Sequence, residues 1–180
     1  MSAGLKQVWG LKDAKGPPST AQADKFKADY QAILSRINTA LQYTVTNAEK
    51  PKHNAKAKKR DGLNSTYQSV LAKIDPRNPS KAESAIKSTL ATANATAKDI
   101  ETFKADVEKA VTAWQAKDPE FEKMVGQVEE LETWGHNQAP GMRSLAAAIQ
   151  QLINDKKYVQ ALKDCDTFAS KLKPIYEDYL

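Results

Sequence analysis

The sequence predicts an all-α fold: an antiparallel bundle of five or six helices with one long central helix and a C-terminal helical hairpin. Three observations predict it. Apolar residues return every three or four positions along nearly the whole chain, as one buried helical face requires. Glycine is scarce, with 7 in 180 residues, and alanine, lysine, glutamine and leucine dominate. No stretch sustains the apolar and polar alternation of a strand. A chain of this length buries enough surface to fold as a single domain, 1–180, without a disulfide or metal staple.

Residues 1–19 read as an N-terminal arm ending in "KGPPST", where Ser19 or Thr20 can cap the helix that follows. Phe26, Tyr30, Ile33, Leu34, Ile37, Leu41 and Val45 form the stripe of a first helix, about 20 to 48. Pro51 ends or kinks it, because proline lacks an amide proton and crowds the preceding turn. Residues 49–62 are then expected as a basic loop, although "AKAKKR" favours helix and can extend the next element backwards. The second helix is expected at about 63 to 75 on Leu63, Tyr67, Val70, Leu71 and Ile74.

Ser80 and Glu83 make a capping box that opens the third helix. Its stripe runs from Ile86 to Trp114, and its small-sided middle, "LATANATA", suits either a close neighbour or a soft segment. Asp118 and Pro119 read as the cap and first residue of a fourth helix carrying Phe121, Met124, Val125, Val128 and Leu131. Gly135 and "NQAPG" stop it. The last two elements, within 140–180, are joined by "NDKK" and form the hairpin. Met142, Leu145, Ile149, Leu152 and Ile153 face inward on the first. On the second, Tyr158, Leu162, Cys165, Ala169, Leu172, Tyr176 and Tyr179 make a heptad seam that Pro174 should kink or end.

Catalytic groups are thinly supplied. His53 and His136 stand apart from any cysteine or carboxylate at a spacing with a mechanical reason, so both read as solvated. Cys165 occupies the seam and reads as core rather than nucleophile. Neither zinc-like Cys/His spacing nor the Glu-x-x-His pairs of carboxylate bundles occur, and the scattered glycines make no phosphate loop. The sequence therefore predicts no enzyme and no cofactor.

The net charge of +5 is local. Residues 49–62 hold six bases and two acids, leaving 21 bases against 20 acids elsewhere. Lys50, Lys52, Lys56, Lys58, Lys59 and Arg60 are the candidate anion-binding residues, for nucleic acid or an anionic surface. Aromatic side chains to stack bases are missing among them, which argues against sequence-specific reading. Trp9 and Trp134, each beside a glycine, are the candidate contacts to a protein partner, whereas Trp114 completes a core stripe.

The expected function is a non-catalytic structural or protein-interaction module, as one part of a larger bacterial polypeptide or alone. A non-specific nucleic-acid or anionic-surface binder is the first alternative, and a helical segment of a toxin or effector the second. The sequence holds neither a signal-peptide apolar run nor a transmembrane segment, so the expected location is cytoplasmic, or exported without a cleavable signal.

Overall fold

The computed structural model describes residues 20–180; the expected arm 1–19, with Trp9, lies outside the described residues. These form five α-helices and no strand: α1 (Thr20–Asn47), α2 (Lys50–Ala72), α3 (Ser80–Thr133), α4 (Ala139–Asn154) and α5 (Tyr158–Tyr179). The fold is all-α with one long helix, as the periodicity predicts. None of these helices is long and apolar enough to cross a membrane.

The described residues pack as two compact units, each with its own core. The division falls at residue 41 in α1, at residue 54 in α2 and at residue 101 in α3. The first unit contains most of α1 and α2 and the first part of α3. Phe26 and Tyr30 of α1 meet Tyr67 of α2, the two tyrosine rings stacked at 3.9 Å. Asn38 accepts from Arg60 at 3.3 Å, so α1 and α2 run antiparallel. Along α3 the order is parallel to α1: Gln22 Nε2 donates to the Pro79 carbonyl, and Arg36 forks onto Glu101 at 2.9 and 2.7 Å. Ala93 and Ala97, the small residues of α3, are fully buried in this core. Their size serves close packing here, which decides between the two expectations for "LATANATA".

The second unit contains α3 from Thr102 onward, α4, α5 and the α1–α2 turn. Its core joins Trp114, Phe121, Met124, Val128 and Leu131 of α3 to Ile149 of α4 and to Cys165, Phe168 and Leu172 of α5. Trp114, Phe121 and Phe168 touch in series at ring separations of 5.6 and 6.3 Å.

Four local expectations are corrected. The expected basic loop is helical from Lys50, with Pro51 in the first turn, where a missing N–H costs no bond. No break falls at Asp118, so the expected third and fourth helices are one. Pro119 and Gln115, whose carbonyl loses its donor, are both exposed, so the lost bond falls on the solvent side of the helix. Pro174 likewise lies inside α5 on an exposed position and does not end it. Finally, Val45 is 58% exposed and Thr44 takes its inward place, while Phe168 rather than Ala169 is fully buried on α5. The inward series are 37, 41, 44, 48 and 161, 165, 168, 172: Ile37, Leu41, Cys165 and Leu172 stand where the expected stripes put them, while Thr44, Ala161 and Phe168 each lie one position before the residue those stripes used.

The turns after α3 and α4 end their helices in the same way. After α3, the His136 amide donates to Leu131 and the Gly135 amide to Glu132, a Schellman closure with Gly135 at φ 70°. After α4, the Lys157 amide donates to Leu152 and the Lys156 amide to Ile153, with Lys156 at φ 61°. A left-handed backbone suits glycine, and lysine holds it there at a cost.

Candidate functional site

The six candidate basic residues occupy the first half of α2, and the structure engages four of them with acids. Lys56 and Lys59 both reach Asp99, at 2.7 and 3.3 Å, and hold its carboxyl below the ordinary range, Lys56 most. Lys52 pairs with Glu49, and Arg60 with Asp61 at 3.1 Å. Among the described residues, Lys50 and Lys58 have no carboxylate at ion-pair distance. The basic segment is thus a partly neutralised helical face rather than a free arm.

Trp134 closes α3 in the second unit, and α5 brings two aromatic side chains to it. Tyr179 stacks on the indole at 4.5 Å with planes 8° apart, and Tyr176 lies at 6.2 Å. His136 meets the edge of Tyr179 at 5.7 Å. The Tyr176 hydroxyl donates to the Glu130 carboxylate, which raises its pKa and fixes the ring. Trp134 and Tyr179 keep 41% and 42% of their surface exposed, and Leu180 follows at the end of α5. Such a layered, half-exposed aromatic group presents large contact area from side chains that are already ordered. The sequence marks Trp134 by its glycine neighbour; its pairing with Tyr176 and Tyr179 has no local signature, since the tyrosines lie more than forty positions away.

Two further groups resolve plainly. Cys165 is fully buried, and burial pushes its thiol up to about 11, so it is a core residue and not an activated nucleophile. His53 shares a 2.9 Å hydrogen bond through Nδ1 with the buried Thr44 hydroxyl, and His136 Nδ1 accepts from the Gln138 amide at 3.2 Å. Both histidines therefore have structural partners in the turns they occupy. Among the described residues, no group of three or more His, Cys, Asp or Glu side chains is placed to hold a metal ion.

One concavity missed by the sequence reading lies in the second unit. It is a groove of about 600 Å³ with Phe103 and Val107 of α3, Leu152 of α4, and Tyr158 and Val159 of α5 in its walls. The α1–α2 turn, from Asn47 to Lys52, completes it. A hollow of about 710 Å³ adjoins it, sharing Ala48, Glu49, Lys156 and Lys157. No sequence motif marks this groove, because its residues come from four separated stretches.

Comparison with family models, with curated proteins and with solved structures found no match for this chain.

Proposed function

We propose that the chain is a non-catalytic protein-interaction module whose contact surface is the aromatic group around Trp134. One observation carries this reading: Trp134 and Tyr179 are stacked, ordered and more than two-fifths exposed, as a preformed binding anchor should be. The lone cysteine, buried as a thiol, fits a reducing compartment such as the cytoplasm. Less supports the alternative of an anionic-polymer binder, because four of its six bases already face carboxylates.

The test is co-purification from the cells that make the protein, with the wild type beside Trp134→Ala. A partner recovered with the wild type and reduced about tenfold with the variant, at equal helicity, supports the reading. Equal recovery moves the contact elsewhere, and the absence of any reproducible partner sinks the interaction role. A turnover abolished by Cys165→Ala or His136→Ala would overturn its non-catalytic part.

A further inference from the structure

The groove of the second unit combines an apolar floor with lysines that have no carboxylate at ion-pair distance. Val159 is 60% exposed at its wall and Val45 58% exposed in the adjoining hollow, the two most exposed valines of the described chain. Four lysines border the pair of hollows: Lys50, Lys52, Lys156 and Lys157. Of the acids there, Glu49 is paired with Lys52, while Asp106 and Asp155, which accepts from the neutral Gln151 amide at 3.1 Å, keep their charge. Lys50, Lys156 and Lys157 have no carboxylate at ion-pair distance among the described residues.

Backbone charge has the same sign. α5 starts at Tyr158, with Lys157 before it making no side-chain cap bond, and α2 starts at Lys50, directly after Glu49; neither helix has an acid in its first turn. The amides of Tyr158, Val159 and Gln160 precede the first intrahelical bond, which Ala161 makes to the Lys157 carbonyl. Each helix start adds about half a positive charge. The groove therefore offers exposed aliphatic surface, the ammonium groups of Lys156 and Lys157 without an ion-pair partner, and free N–H donors, with Lys50 in the adjoining hollow and Asp106 and Asp155 as the charged acids of the linings.

We propose that this groove docks an acidic peptide segment of a partner protein. An aliphatic side chain of that segment lies against Val159, Phe103 and Val107, and its carboxylates meet Lys156, Lys157 and the first amides of α5. The charge complementarity selects the acid and the exposed valines select the aliphatic side chain. Nucleic acid satisfies the lysines but leaves the aliphatic surface without a use. This surface is distinct in its residues from the Trp134 group, so the two readings stand or fall separately.

The experiment is fluorescence anisotropy with the full chain in near-physiological salt. The probe is a short labelled peptide alternating leucine and glutamate, beside a leucine–lysine peptide and a single-stranded oligonucleotide. Variants are Val159→Asp, the double change Lys156→Glu with Lys157→Glu, and Trp134→Ala. The expected result is binding of the leucine–glutamate peptide alone, weakened about tenfold or more by each groove variant and unchanged in Trp134→Ala. All replaced groove side chains are partly or fully exposed, and circular dichroism checks that helicity holds. Absence of binding, equal binding of the lysine peptide, preference for the oligonucleotide, or indifference to the groove variants would each overturn the proposal.

Discussion

Cys165 shows how burial controls chemistry at a single residue. Its thiol is raised to about 11, so the folded state holds the proton more tightly than the unfolded chain does. The resulting stability is present below about pH 9 and is lost as pH rises through about 11. Labelling with a disulfide reagent at pH 8 should consequently be slow in the native protein and track unfolding; rapid stoichiometric labelling would contradict the buried placement. Lys156 makes a second residue-scale case. It sits in the left-handed conformation that Gly135 occupies at the preceding turn. Lys156→Gly should raise stability by about 1 kcal/mol, and Gly135→Ala should lower it by a similar amount, read from denaturant midpoints. Nothing lies within 4 Å of a methyl group added at Gly135, so the backbone angle alone sets the loss there.

At the scale of the element, α3 and α2 depart most from their sequence signals, and for opposite reasons. In α3, Asp118 and Pro119 carry the marks of a helix start, yet Trp114 behind them and Phe121 ahead enter one core. That shared burial outweighs the proline penalty, which falls on the water-facing side. Pro119→Ala should therefore stabilise the protein by about 2 kcal/mol, and a fall in thermal midpoint would refute this account of α3. In α2, helix-favouring residues compete with like-charge repulsion, and sequence alone does not weigh the two. The structure supplies Asp99 of α3 as a counter-charge for Lys56 and Lys59, and Ala57 packs against the first core. With these bases engaged, oligonucleotide binding at low salt should vanish near physiological salt. Binding that persists there and disappears when all six bases are neutralised would restore the anionic-polymer reading.

For the molecule as a whole, two cores imply that core damage acts unit by unit. Phe168 is fully buried and touches Phe121, so Phe168→Ala should cost about 3–5 kcal/mol. Amide exchange should accelerate first over residues 102–180, while uniform acceleration along the chain would point to one cooperative unit. The sequence by itself determined the helical class, most helix boundaries, the core roles of Trp114 and Cys165, and Trp134 as a contact candidate. These rest on local quantities: the period of apolar residues, caps, glycines and prolines. It did not determine the helical state of residues 50–62, the continuity of α3, the turn of Thr44 and Phe168 inward, or the division into two cores. Those depend on which side chain lies opposite which. Only the tertiary structure decided that Tyr179 stacks on Trp134 and that lysines from two turns border one apolar groove, because such juxtapositions join residues with no signal in their own neighbourhood of the chain.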